Sequence, residues 1–162
     1  MRTASGFFDI RDDSAFFAVL SNVLLEFRAT KSKKSEHLLL LILGLAHLRE
    51  WIAPNYTRND FPKNAAQRFA AALLKLPEYD TLWLLANHAK HQRRRSLPET
   101  QTTSFLETID DRDTPIDSWL DFDHGPASTY QYGAQNIEQV FVTVASFYQD
   151  HWFSLPIEQR VE

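Results

Sequence analysis

Leu38-Leu39-Leu40-Leu41-Ile42-Leu43-Gly44-Leu45-Ala46-His47-Leu48 is the longest apolar run in the chain. It is far short of the roughly 20 residues that a bilayer-spanning helix needs. Its apolar side chains cover most of a helical circumference, which predicts a helix at the centre of a helical domain rather than on its surface. Ser35 followed by Glu36 opens this helix. Pro54 closes it after about Ala53, because proline cannot donate the helical hydrogen bond.

The flanking sequence supplies the partners. Upstream, Phe16, Val19, Leu20, Val23, Leu24 and Phe27 recur at spacings of three and four between Asp12 and Thr30. That is the stripe of an amphipathic helix, with Asp12 or Asp13 as its N-cap. Downstream, Asn55 to Phe61 reads as a loop. Pro62 suits the first turn of a third helix reaching Leu76, with Phe69, Leu73 and Leu74 inward. Pro77 opens a fourth helix to about Arg94. A last helix is expected from about Ala134 to Trp152, and after Pro156 a loose tail. Residues 96–134 lack a helical period and hold three of the prolines and 8 of the 21 acids. Short strands are expected there, at Ser104–Ile109 and Ser118–Phe122. The reading is a single all-α domain over 1–162. It is an up-down bundle of four to five helices with an irregular, partly extended insertion before the last one.

Composition excludes several chemistries. With 162 residues and no cysteine there is no disulfide framework, thiolate metal site, iron–sulfur cluster or cysteine nucleophile. Four scattered glycines leave no Gly-rich phosphate loop. The N-terminal residues lack the apolar stretch of a signal peptide, so a cytoplasmic location without membrane contact is the expectation. The net charge of −4 hides a split. Residues 1–97 carry 15 Lys and Arg against 9 Asp and Glu, whereas residues 98–162 carry 2 against 12. Basic residues cluster at Arg28, Lys31, Lys33 and Lys34, and again at Lys90, Arg93, Arg94 and Arg95. Such runs are commonly solvated surface, and a basic face also attracts polyanions such as RNA.

The stretch richest in chemistry is Asn87-His88-Ala89-Lys90-His91-Gln92-Arg93-Arg94-Arg95. On a helix Asn87 and His91 share a face, and Lys90 stands beside them with Arg94 one turn further on. An imidazole passes protons near neutral pH, an amide orients it, and Lys and Arg neutralise phosphate. These are the groups a metal-independent cleavage of RNA by its 2′-hydroxyl would use. A helix C-terminus also favours cations for its own dipole.

A helical bundle with Asn-x-x-x-His late in one helix, then an extended insertion and a long last helix, resembles the HEPN domains. The resemblance implies an all-α fold and an RNA-directed role in defence or toxin–antitoxin biology. It implies either a metal-independent endoribonuclease or a degenerate, non-catalytic relative that binds RNA or protein. His91 would take the part of the family's histidine and Asn87 that of its polar residue. Lys90 and Arg93–Arg95 would contact phosphate. The family's Arg falls on Ala86, a departure from the motif. The resemblance further implies a homodimer in which two such segments face one cleft. It implies no cofactor and no metal. The alternative is a non-enzymatic, homodimeric helical interaction module whose acidic insertion contacts a partner. Elsewhere, His47 reads as a core histidine. Tyr130 and Tyr132 read as an exposed contact surface. His88 and His91 lack an evident third metal ligand.

Overall fold

The computed structural model describes residues 8–91, 100–104, 128–132 and 134–161. Within them the chain is mostly helical, with one small antiparallel sheet. Helix α1 spans Asp13–Ala29, α2 Ser35–Ile52, α3 Ala65–Leu73 and α4 Pro77–His91. Strands β1 (Thr100–Ser104), β2 (Ser128–Tyr132) and β3 (Gln135–Asn136) follow. Helix α5 (Ile137–Tyr148) runs into a π-helical turn at Gln149–Phe153, and a one-turn helix α6 covers Ile157–Arg160. No helix among the described residues is long and apolar enough to cross a membrane.

The helix starts are set by side chains that satisfy the free N–H groups of a first turn. Asp12 accepts from Ala15 N at 2.7 Å, which makes it rather than Asp13 the cap of α1. Asn136 does the same for α5 from Gln139 N at 3.3 Å. Helix α3 begins later than the proline rule predicts. Asn64 accepts from Gln67 N at 2.9 Å, and the Gln67 side chain accepts from Lys63 N at 2.8 Å. This reciprocal pair fixes the start at Ala65 and leaves Pro62 outside the helix.

Helix α2 touches α1, α3, α4 and α5, but it is not enclosed as its all-round apolarity predicts: Leu39, Leu40 and Trp51 stay exposed. Its Leu41, Leu45 and Leu48 are fully buried together with Leu20 and Phe27 of α1, Leu82 of α4, and Phe141 and Val144 of α5. Gly44 sets the approach of α1, because a Cβ there would run into the Leu20 side chain.

A buried cation lies beside this apolar core. Arg49 of α2 is only 7% exposed. Its Nε donates to the Tyr79 hydroxyl at 3.2 Å, and another guanidinium nitrogen donates to the Tyr56 carbonyl at 2.8 Å. The guanidinium carbon lies 5.6 Å from the centre of the Trp83 ring. Tyr79 in turn donates to the Ala46 carbonyl at 2.6 Å, and Tyr148 of α5 donates to the Leu45 carbonyl at 2.8 Å. One arginine and two tyrosines thereby tie α2 to α4, to α5 and to the loop after α2. Among the described residues, no buried side-chain nitrogen or oxygen is left without a partner.

The sheet has the order β1-β2-β3, with Thr100 opposite Tyr132 and Ser104 opposite Ser128. Its long arms bracket residues 105–127 and meet the segments where strands are expected only at Ser104. Of Ser104–Ile109 only Ser104 is described, as the end of β1; Ser118–Phe122 lies outside the described residues. Tyr130 and Tyr132 are not a contact surface. They share the face of β2 that packs on the helices: Tyr132 is buried, and half-buried Tyr130 stacks on Phe27 at 6.2 Å. The tail is not loose either. Arg160 donates to the carbonyls of Leu155 at 3.0 Å and Phe153 at 2.6 Å. Trp152 donates from its indole to Asp13 at 2.8 Å.

Two measurements check this core. Gly44→Ala overpacks the Leu20 contact at roughly 1–3 kcal/mol, more than the ~1 kcal/mol that alanine gains in helix propensity, so denaturant melts will show net destabilisation. In the Gly44→Ala/Leu20→Ala pair the two costs will be less than additive, because the clash is gone. Burial pushes the Tyr79 hydroxyl up to about 12, against the opposing effect of Arg49, and burial raises Tyr148 as well. A tyrosine raised in the folded state stabilises below its unfolded value near 10 and loses that contribution as pH climbs through the folded value. The urea midpoint will therefore drop between pH 10 and about 12, and will drop less in Tyr79→Phe.

Candidate functional site at the end of helix α4

Helix α4 starts where proline suits a first turn, with Glu78 and Asp80 at the positive end of its dipole. It buries Tyr79, Leu82, Leu85 and Ala86 against α2 and α5. Its side toward the sheet is fixed by Thr81, whose hydroxyl lies 2.6 Å from Oε1 of Gln135 in β3. Leu84 is exposed, and near the end of the helix so are Ala89 and Lys90.

This anchoring places the candidate residues. Asn87 is half-buried, as is His88. Lys90 is exposed one turn beyond Asn87, near the end of the helix. His91 is the last residue of α4, so its backbone sits one turn from Asn87 on the same side; its side chain lies outside what is described. Arg93, Arg94 and Arg95 also lie outside the described residues. Ala86, where the family motif has its arginine, is 1% exposed and belongs to the core. The cation of that motif therefore has no outlet at this position.

The other basic cluster has structural work. The Lys33 ammonium donates to the carbonyls of Phe27 and Arg28, closing the C-terminus of α1, and lies 4.9 Å from the centre of the Phe27 ring. Glu138 of α5 receives Lys33 at 3.4 Å and Arg28 at 3.6 Å. These two cations join α1 to α5. Among the described residues no three His, Asp or Glu side chains are grouped so as to hold a metal ion.

Two hollows escaped the sequence reading. One, of about 370 Å³, lies between α1 and α2 and is lined by Ile10, Phe16, Leu40, Leu43, His47 and Trp51, with Gly44 at its floor. His47 is thus at a groove rather than in the core. Its Nδ1 is 3.3 Å from Glu50 and its ring meets Trp83 edge-on at 5.5 Å. The second, of about 350 Å³, lies beside the loop after α2 and includes Tyr56, Arg58, Asp60 and Lys75. Asp60 accepts from the hydroxyl and the backbone N–H of Thr57, each at 2.8 Å, which holds its carboxyl below the usual value. Arg58 is paired with Asp80.

Compared with known protein families, with curated proteins and with solved structures, the chain returns no match.

The placement of Ala86 is testable by stability alone. Ala86→Arg forces an unpaired guanidinium into the core and will cost more than about 3 kcal/mol in a denaturant melt. Lys90→Arg, at an exposed position one turn further along, will stay within about 0.5 kcal/mol of the parent.

Proposed function

We propose that this chain is a HEPN-like helical domain, an up-down bundle directed at RNA, and that it binds RNA rather than cutting it. The observation that carries this reading is the division of the end of α4 into a core-facing Ala86 and an exposed Lys90. The helix offers a cation to a phosphate at Lys90, and the sequence continues it with Arg93, Arg94 and Arg95. It offers none where the motif arginine would polarise the scissile phosphate. Asn87 and His91 remain one turn apart on the same side, suited to hydrogen-bond a 2′-hydroxyl or a base edge. In a homodimer that brings two α4 ends together, the basic residues of both copies would line one groove. A defence or toxin–antitoxin setting is what the HEPN resemblance would imply for such a domain in the cytoplasm.

A second reading, a non-enzymatic helical interaction module, is favoured by a different observation. Leu39, Leu40 and Trp51 on the outward side of α2 are large apolar side chains that the fold leaves exposed.

Filter retention of labelled single-stranded RNA across a salt series tests the first reading. Retention will fall steeply with salt, and Lys90→Glu and the triple Arg93→Ala/Arg94→Ala/Arg95→Ala variant will each weaken it. RNA left intact by both wild type and His91→Ala fits binding without cleavage. Cleavage by wild type that His91→Ala abolishes would make the domain a ribonuclease. Retention that ignores salt and both variants would remove the RNA reading.

A further inference from the structure

Helix α2 turns two apolar faces outward from its axis; the fold buries one and covers the other only in part. Leu41, Leu45, Leu48 and Ile52 are buried against neighbouring helices. The other face runs through Leu39, Leu40, Leu43, His47 and Trp51, again at spacings of three and four. Leu39 is 48% exposed, Leu40 41% and Trp51 37%. Phe16 of α1 rises on one flank, its ring 4.9 Å from that of Trp51, and Trp83 of α4 rises on the other beside His47. Between the α1 flank and α2 lies the 370 Å³ groove. A grooved apolar strip along one helix, walled by aromatic rings, has the form that accepts a second helix.

Charge selects the occupant. The charged residues on this face of α2 are Glu36 and Glu50, one near each end, and the only Lys or Arg in the helix is the buried Arg49. The two carboxylates stand about 21 Å apart along the axis, from the helical rise of about 1.5 Å per residue. A second copy of this chain fits poorly. Antiparallel pairing about Leu43 sets Glu36 of each copy against Glu50 of the other, and parallel pairing sets each glutamate against itself. Both put like charges at the rim of an apolar contact, which opposes association. A helix with aliphatic residues at i, i+4 and i+7 and a Lys or Arg beyond each end meets the strip and both glutamates at once.

We propose that the outward face of α2 is a docking groove for an amphipathic helix with basic ends, contributed by a partner protein. This rests on the interaction-module reading and is independent of RNA binding at α4. Leucines of the incoming helix cover Leu40, Leu43 and Trp51, while its end cations pair with Glu36 and Glu50.

The test uses the full chain and two synthetic helical peptides of about 18 residues. They share one leucine pattern and differ in having lysines or glutamates at the ends. Isothermal titration calorimetry is run on wild type, on Leu40→Asp, and on the Glu36→Lys/Glu50→Lys double variant, with thermal melts to confirm that each is folded. The lysine-ended peptide is expected to bind wild type at least about tenfold more tightly than the glutamate-ended one, a difference of about 1.4 kcal/mol. Leu40→Asp should weaken it by a similar factor, and the double variant should reverse the preference. Equal binding of both peptides, or binding indifferent to Leu40→Asp, overturns the proposal. Sedimentation equilibrium separates the remaining outcomes. A wild-type dimer that Leu40→Asp dissociates, with no peptide bound, makes the face a self-interface: the proposal falls and the interaction-module reading stands. No peptide binding and no change in oligomeric state removes both.

Discussion

The arrangement of the helices depends on how one buried guanidinium is satisfied. Taking a charge out of water costs several kcal/mol unless hydrogen bonds and polarizable neighbours replace its hydration. Arg49 meets that requirement with partners from three places: the Tyr79 hydroxyl on α4, the Tyr56 carbonyl in the loop after α2, and the face of Trp83. Each partner is then fixed by something else. Tyr79 donates its own proton to the Ala46 carbonyl, and the Tyr56 hydroxyl donates to the Asp60 carbonyl at 3.0 Å. The α2–α4 spacing is thereby defined by directional contacts as well as by leucine packing. Hydrophobic burial alone tolerates sliding; a network of this kind has one geometry in which every member is paired.

The helices were legible because their signals are local. Phe16, Leu20, Leu24 and Phe27 mark one stripe, Asp12 caps it, and Pro54 and Pro77 punctuate the chain. Helix α3 was misread at its start because Pro62 and Asn64 are both good openers. The capping pair of Asn64 and Gln67 satisfies two N–H groups, whereas proline merely lacks one. The sheet was harder. Thr100–Ser104 and Ser128–Tyr132 are rich in Thr and Tyr, which suits strands, yet their pairing joins segments more than twenty residues apart in sequence. No local pattern encodes such a partner. The inward turn of Tyr130 and Tyr132 follows from that pairing and was invisible without it.

The candidate site divides in the same way. That Asn87 and Lys90 share the last turns of one helix follows from periodicity. That Ala86 faces the core follows from its phase with Tyr79 and Leu82, which the sequence also carries. In sequence, Arg49 at the end of an apolar helix is not distinguished from an exposed last-turn cation. Its phase with Leu45 and Ile52 was the available clue. The basic cluster at Arg28–Lys34 shows the limit of charge counting. Two of its members spend their charge on Glu138 and on the carbonyls that end α1, so a positive surface inferred from composition is partly a set of internal fastenings.

The ladder between β1 and β2 bears on how this protein can change over generations. Ser104 and Ser128 face each other across it, so the two ends of the connection between them are held at adjacent points. The entropic cost of closing such an excursion rises only with the logarithm of its length. Evolution could therefore extend, trim or swap those residues wholesale while the helices beneath, joined through the strand pairs, kept their positions.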